Sequence, residues 1–274
     1  MVTDRIYLLP LALFILFPAT FIISYIISVV LGHVEADFPY ISDTGTHIPE
    51  SCIFGQFLNI CAVLFAVCVY VRYKQVHTYY RYHLSGDNIP RLNKIALVLG
   101  WIVPIGVSMV ANFQETSLFA VHAIGAFLSF GPGTLYLWTN AVLSYLVTPV
   151  INTRRMAHIR VVMSIISTSA FLITCIASPL SMAQFHGKDR TKWFPEDGGF
   201  TLHVVATAAE WILAITFDAF ILTFVKEFQR ITVATPQVYL QIEELRTPIP
   251  VESTSVEDET AEGTPNPPFK EFLT

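Results

Sequence analysis

Six apolar runs, each long enough to cross a bilayer as a helix, alternate with short polar segments along this chain. They cover residues 6–31, 54–71, 95–111, 118–147, 159–182 and 200–225. A helix of about 20 residues spans a hydrocarbon layer roughly 30 Å thick. Each run must be helical, because a lone strand would leave its backbone groups unpaired in lipid. The pattern predicts an all-α polytopic membrane protein, with one six-helix bundle over residues 1–230. The first run is too long for a signal-peptide core, and no Ala-x-Ala site follows it, so it reads as a retained anchor.

Composition agrees with lipid as the main solvent. The chain is 53% apolar and 14% charged, where a soluble domain carries about 25% charge. Basic residues then set the orientation. With the N-terminus in the cytosol, that side holds Arg5, Arg72, Lys74, Arg81, Arg91, Lys94, Arg154, Arg155, Arg160, Lys226 and Arg230. The opposite side holds only Lys188, Arg190 and Lys192. The bias predicts both ends on the cytosolic side.

The first connection, residues 38–51, has no Lys or Arg and carries Asp43 and Glu50 among turn-formers. Pro39, Gly45 and Pro49 exclude a continuous helix. Ser42, Asp43 and Thr44 can satisfy backbone donors through local side-chain bonds. An ordered lumenal loop on top of the bundle is expected.

Polar residues gather at the non-cytosolic ends of the runs: Asp43, Glu50, Asn112, Gln114, Glu115, His122 and His203, with Glu210 below them. His203 and Glu210 lie seven residues apart on one helix face, and Glu210 falls near the bilayer midplane. An unpaired carboxylate there is costly, so Glu210 is expected to be protonated or paired. Asp218 lies about two turns deeper. Three uses compete for this cluster. It can bond the loop to the bundle, handle protons or solute in an acidic lumen, or serve a membrane hydrolase. The last lacks His-x-x-x-His, His-Glu-x-x-His and Gly-x-Ser-x-Gly patterns, so no enzyme is expected. No Gly-rich phosphate loop appears, and the balance is acidic, so neither a nucleotide cofactor nor nucleic acid is expected.

Other segments carry weaker signals. Gly125, Ser129 and Gly133 form a small-residue stripe in the fourth run, and Pro132 should kink or break that helix. Cys52, Cys61, Cys68 and Cys175 are spaced for packing rather than for a disulfide or metal framework. The connection 72–94 mixes basic residues with tyrosines, and Arg72, Lys74 and Arg81 offer a patch for anionic lipid headgroups. The tail 231–274 is acidic, proline-rich and without periodicity, a disordered composition. Tyr239 and Ile242 fit a Tyr-x-x-Φ sorting signal, which would engage a cytosolic sorting adaptor. Nothing in the pattern assigns an oligomeric state.

Several stretches carry a family resemblance. They are PYISDTGT with PES after it (from Pro39), YVRYKQVH (Tyr70), LNKIALVLG (Leu92), VANFQETSLFAVH (Val110) and HVVATAAEW (His203). Together they resemble the DRAM (damage-regulated autophagy modulator) family within the Frag1/DRAM/Sfk1 group. The run WFPEDGG at Trp193 is similar to the family's WNPEDKG, with Phe194 a departure. The resemblance implies a non-enzymatic regulator of autophagy and lysosome function, resident in lysosomal or late endosomal membranes. The alternative is the TMEM150 and Sfk1 branch, plasma-membrane regulators of phosphoinositide kinases and lipid asymmetry. A proton-linked transporter using Glu210 is the third expectation.

Overall fold

The computed structural model describes residues 2–83 and 88–234. Six long helices account for most of these: α1 (Leu8–Val30), α2 (Glu50–His83), α3 (Asn88–Asn112), α4 (Phe119–Leu146), α5 (Arg154–Gln184) and α6 (Phe200–Leu222). All six are long and apolar enough to cross a membrane. A short α7 (Val225–Phe228) follows, and β1 (Val2–Thr3) pairs antiparallel with β2 (Val233–Ala234). This pairing brings the two ends of the described chain together on one face. The 31–49 connection, with a 3₁₀ turn at Asp43–Gly45, forms a cap on the opposite face.

Each helix packs on its neighbour in sequence, and α6 returns to α1, closing a ring. The interior is filled by Phe65, Tyr136, Leu137, Phe220, Phe224 and Phe228. Large apolar side chains on the outer faces stay exposed on every helix, among them Ile15, Val63, Ile105, Ile124, Ile176 and Ile212. An apolar coat of this extent is stable only against lipid.

Local chemistry explains the helix ends. Thr153 caps α5 by accepting the Met156 amide at 3.3 Å. Ahead of α6, Gly198 and Gly199 both have positive φ. A Cβ on Gly199 would lie 2.6 Å from the Ser181 carbonyl oxygen, so this turn packs against α5 only with glycine. Where α3 crosses α4, a Cβ on Gly106 would stand 2.5 Å from the Ser129 amide nitrogen and 2.6 Å from the Gly125 oxygen. The small-residue stripe is therefore a close backbone approach, and Gly106 is its counterpart on α3.

Two expectations need correction. α2 does not end near residue 71 but runs 34 residues, about 50 Å at about 1.5 Å per residue. That exceeds the hydrocarbon thickness. The helix projects beyond it, so most of the expected 72–94 loop is helical. At Pro132 the break does not occur: α4 continues as one helix through the proline, although that residue has no N–H to donate to the carbonyl four residues back.

Candidate functional site

The cap is tied to the bundle by a small set of bonds from two helices, α1 and α6, and from the turn between α3 and α4. Trp211 of α6 donates its indole N–H to the Pro39 carbonyl at 3.0 Å. Glu210 Oε2 accepts the Ile41 amide at 3.1 Å. Ser42 donates to Glu115 Oε2 at 2.9 Å, and Thr44 meets Ser24 of α1 at 2.9 Å. Asp43 Oδ2 accepts the Tyr40 amide at 3.3 Å, holding the 3₁₀ turn. Burial raises the Asp43 carboxyl well above the usual carboxylate range, and nearby Glu115 and then Glu210 push it the same way.

The remaining expected residues divide among several roles. Glu50 opens α2 and lies 2.6 Å from His33 Nδ1. Asn112 bonds Asn59 and the Ser108 carbonyl across α2 and α3. His122 donates to the Phe113 carbonyl at 2.8 Å. His203 sits in an aromatic stack, 4.2 Å from the Trp193 ring centre and edge-on to Tyr40. Gln114 contributes its backbone carbonyl to the turn at Ser117 and Leu118. Asp43, Glu115 and Glu210 come together, whereas Glu50 and Asn112 belong to separate contacts.

Two cavities meet at Glu210. An inner one of about 90 Å³ is lined by aromatic and aliphatic side chains, with Asp218 among them. Asp218 is only 4% exposed, and neither of its carboxyl oxygens has a hydrogen-bond partner among the described residues. A crevice of about 580 Å³ lies between α4 and α5 beneath the cap. Ser42, His122 and Glu210 line both.

A second polar cluster, at the opposite end of the bundle, went unread in the sequence. Glu227 of α7 pairs with Arg72 of α2 and lies 2.6 Å from Arg160 of α5. Arg72 also donates to Asn140, and Arg160 to Ser144 and Thr223. The Phe224 ring lies against both guanidinium groups. Arg72 is 2% exposed, so it does not join Lys74 and Arg81, which are exposed, in a headgroup patch. The Phe224 ring and the Glu227 carboxylate draw it inward, and α2 projects only the later basic residues outward. The available signal was Arg160 inside an apolar run, since a buried guanidinium requires a partner acid. Tyr239 and Ile242 lie outside the described residues.

Comparison with known proteins covers the whole described bundle. Residues 5–231 match the family described as Frag1/DRAM/Sfk1/Cwh43P N-terminal domain. The chain is 46% identical over 228 residues to DNA damage-regulated autophagy modulator protein 2 of Bos taurus, covering 82% of this chain and 84% of the relative. It is 39% identical over 216 residues to modulator protein 1 of Homo sapiens, covering 78% and 87%. Modulator of macroautophagy TMEM150B of Danio rerio is 32% identical over 199 residues, covering 73% and 74%. No solved structure gives a significant match.

Proposed function

Because the chain belongs to the Frag1/DRAM/Sfk1 family, we propose that it regulates autophagy as a non-enzymatic multi-pass protein of lysosomal or late endosomal membranes. The observation that carries this reading is the 46% identity to an autophagy modulator across the capped bundle. The relative from the TMEM150 branch is also named for macroautophagy, which supports the autophagy role.

Geometry supports a structural use of most of the polar cluster. Glu210, Glu115, Glu50, Asn112 and His122 each have a partner that fixes cap or helix. The cap then faces the lumen and the paired strands β1 and β2 face the cytosol. Setting aside buried Arg72 and Arg160 leaves the basic bias on that side intact.

The test is localisation of the tagged full-length chain, beside Tyr239→Ala, with autophagic flux measured after its removal. Lysosomal residence with altered flux supports the reading. Loss of residence in Tyr239→Ala assigns the address to the tail. Plasma-membrane residence of both forms with unaltered flux shifts the role to phosphoinositide or lipid regulation.

A further inference from the structure

The crevice between α4 and α5 has a wall and a head that differ in chemistry. Phe119, Phe127, Phe130 and Phe171 supply an aromatic wall. Phe119, Phe127 and Cys175 are exposed, so the crevice opens sideways between the helices. Its upper end, under the cap, carries Glu115 and Glu210, while no Lys or Arg among the described residues lines it. Tyr40 also lines this end and is 8% exposed. Although Ser178 and Ser181 stand near it, its hydroxyl makes no hydrogen bond of good geometry among the described residues. A buried polar group without a partner is a loss that a bound group can recover.

The volume of about 580 Å³ falls within the range of roughly 300–1,000 Å³ of small-molecule sites. An apolar wall with one acceptor-rich end calls for an amphiphile whose head donates hydrogen bonds. An ammonium has three donors and no acceptor, and three groups that can accept line this crevice: Glu115, Glu210 and Tyr40. Two carboxyl groups with Asp43 behind them disfavour a carboxylate or phosphate head. We propose that this crevice binds a single-chain amphiphile with a primary amine head, its ammonium held among Glu115, Glu210 and Tyr40 and its chain lying along the aromatic wall.

This ligand site stands independently of the autophagy reading. A cation at the head also relieves the crowding of Asp43 against Glu115 and Glu210, so occupancy tightens the cap.

Dodecylamine, dodecanol and dodecanoate are the probes, titrated at neutral pH into the full chain in phosphatidylcholine nanodiscs. Binding is read by native mass spectrometry and by the shift in melting temperature. The amine is expected to bind saturably and one to one, at least about ten-fold tighter than the other two, the scale of one charge-assisted contact. Glu210→Gln, which can still accept the Ile41 amide, should lose at least about ten-fold of that binding. Ala123→Trp fills an exposed wall position and should abolish it with the melting temperature of the free protein unchanged. Equal binding of the three probes, or amine binding that survives Ala123→Trp, overturns the proposal. If Glu210→Gln does not fold, Ala123→Trp and the probe comparison decide.

Discussion

Arg160 of α5 and Glu227 of α7 meet at 2.6 Å where neither is open to solvent. Because Arg72 shares the same carboxylate, a single acid holds two buried guanidinium groups. Glu227→Gln leaves both without a counter-charge, at a cost of about 3–5 kcal/mol for one broken buried pair. A large drop in melting temperature and in cellular abundance is expected. Abundance matching the parent chain would show that the cluster carries little of the stability.

Trp211→Phe keeps most of the ring but removes the indole N–H that reaches the Pro39 carbonyl. Loss of this bond costs on the order of 1 kcal/mol, and the effect should be confined to the cap. Amide exchange over residues 38–46 should quicken about five-fold, while α2 and α5 exchange as before. Uniform quickening along the chain would point to a global role instead.

Asp43 predicts an acid-stabilised cap. Its ordinary value is 3.8, and burial with Glu115 and Glu210 raises it in the folded chain. The folded cap therefore keeps a proton that the unfolded chain releases. This contribution is complete below about pH 4 and is lost as pH rises through the folded value. Melting should occur at higher temperature near pH 5 than near pH 7.5, and Asp43→Asn should flatten the difference. A profile that Asp43→Asn leaves unchanged would assign the dependence to other groups.

Gly106→Val places a branched side chain where one Cβ already falls 2.5 Å from the Ser129 amide nitrogen. Backbone cannot yield as a flexible side chain can, so α3 and α4 must separate. The expected cost is at least about 1–3 kcal/mol, read as lowered thermal stability. Gly131→Ala, whose added Cβ would find its nearest neighbour at 3.4 Å, should be tolerated and serves as the control.

Replacing Lys74 and Arg81 by Gln should weaken binding to anionic liposomes, at about 1 kcal/mol per basic residue near the surface. Arg72→Gln should instead lower stability, since that side chain is buried against Glu227 and Phe224. Equal liposome binding by the Lys74 and Arg81 variants would leave these residues to topology alone.

The six helices were legible because lipid permits few alternatives: an apolar run of sufficient length must be a helix. The cap's position and its acids were legible for a related reason, as Asp43, Glu115 and Glu210 stand out against an apolar background. Their partners were not. His33, Tyr40 and Ser42 are ordinary loop residues until the fold brings Glu50 of α2, His203 of α6 and Glu115 of the turn between α3 and α4 against them. The end of α2 was misplaced because hydropathy marks where lipid stops, whereas the backbone bonds of a helix continue into water. Arg72 and Arg160 were counted with the surface charges for a similar reason. Spacing along one helix does not reveal that Glu227, far away in the chain, completes the pair.

The two-residue ladder joining β1 to β2 has a mechanical consequence. Val2 faces Ala234 and Thr3 faces Val233, so traction applied at Val2 and Ala234 peels the ladder one rung at a time. Peeling requires far less force than sliding the same strands past each other. Under tension between Val2 and Ala234 the described bundle should give first at this clasp, at low load, before any helix leaves the ring.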